Sequence, residues 1–107
     1  MSKGMRNMYE HMVFFKFNEC LTPEKEKELL GKLNSFKEKI PGIKELTAGF
    51  NVTEEVENIK GFTLGLRVTF ENKDALDNYG PHPVHQEFVG SLEGVIEDVI
   101  VVDYPVA

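Results

Sequence analysis

The chain has one cysteine, Cys20, so no disulfide can close within it, and a lone thiol favours a reducing compartment. It has no GxGxxG, no P-loop and no GxSxG, which removes the dinucleotide, nucleotide and serine-hydrolase signatures. No stretch approaches the roughly 20 apolar residues of a membrane span. The opening MSKGMRNMYE lacks the apolar run of a signal peptide. Basic charge is also short: 12 Lys and Arg stand against 18 Asp and Glu, a net charge of -6. That balance argues against nucleic acid and against an anionic membrane surface as partners. The expected location is cytoplasmic.

What is present suits one domain. With 107 residues, the chain can bury a core without staples. Tyr9 to Phe17, YEHMVFFKF, reads as a strand with Tyr9, His11, Val13, Phe15 and Phe17 on one face and Met12 and Phe14 on the other. A helix follows, with Thr22 as N-cap, Pro23 at its first position and Pro41-Gly42 as its stop. Leu29, Leu30, Leu33, Phe36 and Ile40 form its apolar stripe, and Glu28 and Lys32 are spaced as an i,i+4 pair. A second strand is expected over Ile43 to Val52, with Leu46, Ala48, Phe50 and Val52 on one face. The acidic TEEVENIK reads as a loop. Gly61 to Phe70 alternates as a third strand, Phe62, Leu64, Leu66, Val68 and Phe70 facing one way. A short helix capped near Asn72 ends at Gly80-Pro81, another starts near Pro83, and GVIEDVIVVDYPVA forms a last, β-branched strand.

The order β-α-β-β-α-β is the ferredoxin-like α+β arrangement, a four-stranded antiparallel sheet with the helices on one face. The other face is not convincingly polar, since Met12, Phe14 and the last strand all bring apolar side chains to it. Such a face needs a cover, and the simplest is a second copy, sheet against sheet.

The chemistry is concentrated in YGPHPVH, Tyr79 to His85. His82 and His85 share one helical face at i,i+3. Three readings stay open: metal ligation, for which His11 is a candidate third ligand; a cap at His82 with an ordinary histidine at His85; and acid–base work by a neutral imidazole beside an apolar pocket. His11 lies on an otherwise apolar strand face, the one towards which the second helical segment packs, so His11 and His85 can meet across one cavity. Tyr79 could add a phenol to hold a carbonyl oxygen.

Taken together, HMVFFKF, LTPEKEKELL, IPGIKELTAGFNV, GFTLGLRVTFEN, YGPHPVH and VDY resemble the stress-responsive dimeric α/β-barrel (Dabb) domain family. The likeness runs from about His11 to Tyr104, and residues 8–105 are expected to be the domain, with 1–7 a disordered tail. The resemblance implies a homodimer whose sheets pack into a barrel, and a small-molecule pocket in each subunit between sheet and helices. The plant polyketide cyclase of this family that forms olivetolic acid runs a cofactor-free, metal-free aldol condensation. Position by position, the resemblance implies His85 as general base, Tyr79 as its assistant, Asp103 as the group that orients the base and His11 as a second polar group. It implies Val13, Phe15, Leu66 and Phe88 as cavity walls, with Leu29 and Leu33 replacing bulkier helix-1 residues and His82 opening the motif; Ile96 replaces a tryptophan.

The expectation is therefore a homodimeric domain binding an unidentified small molecule. As an enzyme it would do cofactor-independent acid–base chemistry of cyclase, isomerase or lyase type on a carbonyl or polyketide-like compound. The alternatives are a non-catalytic, stress-related ligand-binding protein and a monooxygenase-like member of the wider barrel superfamily.

Overall fold

In the computed structural model, residues 7–106 are described, so residues 1–6 of the expected tail lie outside the described residues. The elements are β1 (Met8–Phe17), α1 (Pro23–Lys39), β2 (Ile43–Phe50), α2 (Val56–Ile59), β3 (Phe62–Phe70), α3 (Lys73–Tyr79), α4 (Pro83–Ser91) and β4 (Ile96–Val106). The sheet runs β2-β3-β1-β4, with every neighbouring pair antiparallel. This is the ferredoxin-like α+β fold.

Local chemistry accounts for the element ends. The Thr22 hydroxyl accepts from the Lys25 N–H at 3.1 Å, and Asn72 caps α3 by accepting from Ala75 N–H at 2.9 Å. After α1 the chain turns at Gly42, φ +88°, a conformation that favours glycine. A Cβ there would lie 2.4 Å from that of Ala75, so Gly42 also lets α3 approach the start of β2.

The alternating face of β1 and β3 meets the α1 stripe. Leu29, Leu33 and Phe36 are buried against Val13, Phe15, Leu64, Leu66, Val68 and Phe70 in one core. Strand register then sets the site. His11 stands opposite Val68 of β3 on one side and Asp103 of β4 on the other. Next along the same face come Val13 opposite Val101 and Phe15 opposite Val99.

The opposite sheet face is divided. On one half, Arg67 donates to Glu10 at 3.1 Å, to Thr69 at 3.0 Å and to Glu45 at 3.0 Å. On the other half, Met12 and Phe14 lie beside Val102 and Ile100. Ile100 is 44% and Val102 46% exposed in the single chain.

Three local expectations are corrected. β2 ends at Phe50, and Val52 is 91% exposed, because Asn51 turns the chain by accepting from Thr53 N–H. The acidic segment holds one helical turn, α2. Glu28 pairs with Lys25 rather than Lys32, because Lys32 reaches across to Glu87 on α4.

Candidate active site

A cavity of about 670 Å³ lies between the β1–β4 half of the sheet and helices α3 and α4. Its polar end is built from four side chains. His11 comes from the middle of β1, where strand alternation turns it inward. Tyr79 is the last residue of α3 and His85 lies in the first turn of α4; the Gly80-Pro81 break folds the second helix back so that both face the cavity. Asp103 enters from the edge strand.

The pairings fix the imidazole tautomers. His11 Nδ1 lies 2.5 Å from Asp103 Oδ1. An ionised carboxylate only accepts, so Nδ1 carries the hydrogen and neutral His11 keeps Nε2 as its acceptor. His85 Nδ1 lies 3.0 Å from the Gly80 carbonyl, which again demands a donor, so its Nε2 is likewise bare. Gln86 donates to the same carbonyl at 2.7 Å, which holds the turn in place.

Tyr79 sits between the two histidines, its ring centroid 5.1 Å from that of His11 and 4.5 Å from that of His85. The phenol is 3% exposed and has no hydrogen-bond partner among the described residues. Burial pushes its pKa above the ordinary value, with the Asp103 charge adding to the effect, so the hydroxyl keeps its proton at neutral pH. For His85, burial lowers the pKa; the Gly80 hydrogen bond opposes this, and His11 and His82 reinforce it. His85 is therefore a neutral base near pH 7.

The resemblance assigned Asp103 to orient His85. In the structure Asp103 holds His11, and the Gly80 carbonyl holds His85. Val13, Phe15, Leu66 and Phe88 line the cavity as expected of walls. Leu29 and Leu33 do not; both are fully buried on the core-facing side of α1. His82 also lies elsewhere. It caps α4, its Nδ1 accepting from the Val84 N–H at 3.1 Å, and it borders a smaller cleft with Glu71 and Asp74. The two histidines of HPVH are thus divided, one at a helix start and one at the cavity. Among the described residues no group of three or more His, Cys, Asp or Glu is placed to hold a metal ion.

The sequence reading missed Leu76, Val89, Leu92, Val99 and Val101 as cavity residues. The β4 pair was accessible in principle, since Val99 and Val101 alternate with Asp103, but the register that brings them to Phe15 and Val13 was not.

The model of the stress-responsive A/B barrel domain matches residues 9–106. The chain belongs to this family. A stress-response A/B barrel domain-containing protein of Arabidopsis thaliana is 32% identical over 99 residues, covering 92% of this chain and 86% of the relative. Olivetolic acid cyclase of Cannabis sativa is 26% identical, covering 89% and 93%. Among solved structures, hydroxynitrile lyase from Passiflora edulis has the same fold, with a TM-score of 0.83, 21% identity and 95% of each chain covered. Other matched structures are described as dimeric ferredoxin-like proteins. In this A/B barrel domain no helix among the described residues is long and apolar enough to cross a membrane.

Proposed function

We propose that this A/B barrel domain is the subunit of a homodimer and that each subunit performs cofactor-independent acid–base chemistry on a carbonyl compound. His85 Nε2 takes a proton from the carbon next to the carbonyl. The Tyr79 hydroxyl donates to the carbonyl oxygen and stabilises the enolate as it forms. His85 Nε2–H can then return the proton, while His11, its Nδ1–H held by Asp103, presents Nε2 as a second polar group beside the reacting atoms. The cyclase relative, at 26% identity, supports the reaction class.

The observation that carries this reading is the Tyr79 hydroxyl, buried, protonated and without a hydrogen-bond partner among the described residues, between two oriented imidazoles. An unmade hydrogen bond in such a place costs free energy, and a ligand oxygen removes that cost. Tyr79→Phe is expected to slow solvent exchange of α-protons in small ketones by about 10²- to 10³-fold, followed by proton NMR in D2O. The ring contacts remain, so the melting temperature should barely move. Exchange at the wild-type rate would show that the phenol only fills space. Ketone binding with no exchange in the unmodified protein would favour a ligand-binding protein instead.

The dimer reading rests on the apolar half of the outer sheet face and on the dimeric matched structures. Phe14→Glu places a charge on that half, and burying it unpaired would be costly. The variant is expected to halve the mass seen by light scattering. An unchanged mass would put the interface elsewhere.

A further inference from the structure

The Gly80 carbonyl stands at the joint between the two helices that carry Tyr79 and His85. It accepts from His85 Nδ1 at 3.0 Å and from Gln86 Nε2 at 2.7 Å. Successive residues of a helix point about 100° apart, so the oxygen lies where the two side chains can converge. A carbonyl oxygen has two lone pairs, and these two donors fill them. Little else fixes its direction. Gly80 is helical, φ -56° and ψ -50°, although a residue before a proline prefers an extended backbone. A Cβ at Gly80 would meet nothing within 4 Å, so packing does not clamp the peptide. Gln86 is exposed and could give its amide to water; it folds back onto the turn instead.

We propose that Gln86 is the positioning residue of His85: its amide fixes the Gly80 carbonyl against Nδ1, which keeps the ring hydrogen there and leaves Nε2 bare. The proposal rests on the function proposed above, with His85 as the base. A neutral imidazole can carry its hydrogen on either nitrogen, and the partner of one nitrogen decides the state of the other. Only the Nδ1–H form can take a proton at Nε2. His11 has a carboxylate, Asp103, to hold its Nδ1–H. His85 has a neutral carbonyl, a weaker acceptor, so the alignment of that carbonyl matters more. Gln86 is not one of the residues lining the cavity, and its effect on the reaction passes through His85.

The test compares two variants. Gln86→Met keeps the length and helix preference of the side chain but has no donor; Gln86→Lys restores one. The two ring nitrogens of His85 are followed by nitrogen-15 NMR in mildly alkaline buffer, where the ring is neutral, with His85→Gln identifying its signals. The unmodified protein should show the Nδ1–H form. In Gln86→Met the Nε2–H form should gain on it about two- to tenfold, the worth of one hydrogen bond, and α-proton exchange should slow in proportion to the Nδ1–H form lost. Gln86→Lys should reverse both changes. A merely structural glutamine would lower the melting temperature and leave the nitrogen shifts alone. Unchanged shifts in Gln86→Met, a change that Gln86→Lys leaves in place, or an Nε2–H form in the unmodified protein would each overturn the proposal. The nitrogen shifts need no substrate, so the two ideas fail separately. A tautomer change in a protein that exchanges no ketone protons keeps the positioning role and removes the proton-transfer reading. Exchange with an unchanged tautomer keeps the chemistry and removes Gln86 from it.

Discussion

His85→Ala is expected to reduce α-proton exchange by about 10²- to 10⁴-fold, the usual contribution of a positioned general base. The imidazole is the one whose bare nitrogen comes with a lowered pKa, so it is unprotonated where the reaction would run. Alanine also removes a ring that rests on Tyr79 at 4.5 Å and on Phe36 at 6.2 Å, so part of any loss could be structural. His85→Gln separates the two, because its amide can still donate to the Gly80 carbonyl but cannot accept a proton. Both variants should lose exchange, and the glutamine form should keep most of the melting temperature. Full exchange in His85→Gln would move the base to another residue, with His11 first in line.

The same histidine makes stability depend on pH in a known direction. Its folded pKa lies below the unfolded value of about 6.5. Between those two values the unfolded chain binds the proton and the folded chain does not. Stability should therefore fall as pH drops through that window, and level off once folded His85 is protonated. The rate should hold through neutral pH and fall only in acid. Urea midpoints for the unmodified protein and His85→Gln, at pH 7.5 and on the acid side of 6.5, check the sign; the variant should show a smaller drop.

Phe36→Ala should cost about 3–5 kcal/mol, the range for a fully buried phenylalanine. Phe36 is 1% exposed. Its ring meets Tyr79 edge-on at 5.9 Å and Phe88 at 5.6 Å, and lies beside His85. Aromatic pairs of this kind add about 0.5–1.5 kcal/mol beyond their area. A domain of this size has about 5–15 kcal/mol in total, so the loss is a large share of it. The cavity left behind would lie directly under the reacting groups, so exchange should fall with stability even in the molecules that remain folded. A cost below about 1 kcal/mol by chemical denaturation would mean that α1 settles into the gap and that Phe36 does not support the site.

Apart from α2, the order of elements was legible because each carries a local signal. Strand alternation in β1 and β3, the Thr22-Pro23 start and the Pro41-Gly42 stop all act over a few residues. The inward face of His11 followed from the same alternation. Asp103 was legible as a site residue through the resemblance, but its partner was not, because the choice between His11 and His85 depends on a ladder joining residues 92 apart in the chain. Leu29 and Leu33 were placed on the cavity wall through the resemblance, but without bulky side chains there they reach only into the core, where both are fully buried. The Lys32–Glu87 contact escaped for a different reason: an i,i+4 rule sees one helix, and α4 offers Lys32 another carboxylate.

β4 is an edge strand, and among the described residues no strand pairs with its outer side along Ile96–Val106, although the Val99 N–H is taken by Asp98. At its centre are Val99, Ile100, Val101 and Val102, four β-branched residues in succession and all exposed in the lone subunit. Such a segment is a template for intermolecular strand addition and for cross-β stacking. Glu97 and Asp98 guard one end, Asp103 and Pro105 the other, in the gatekeeper positions that interrupt such growth. The guards do not reach the middle four residues. Those residues are where the lone chain is expected to aggregate first, and any mutation that removes Asp98 or Pro105 lengthens the unguarded edge.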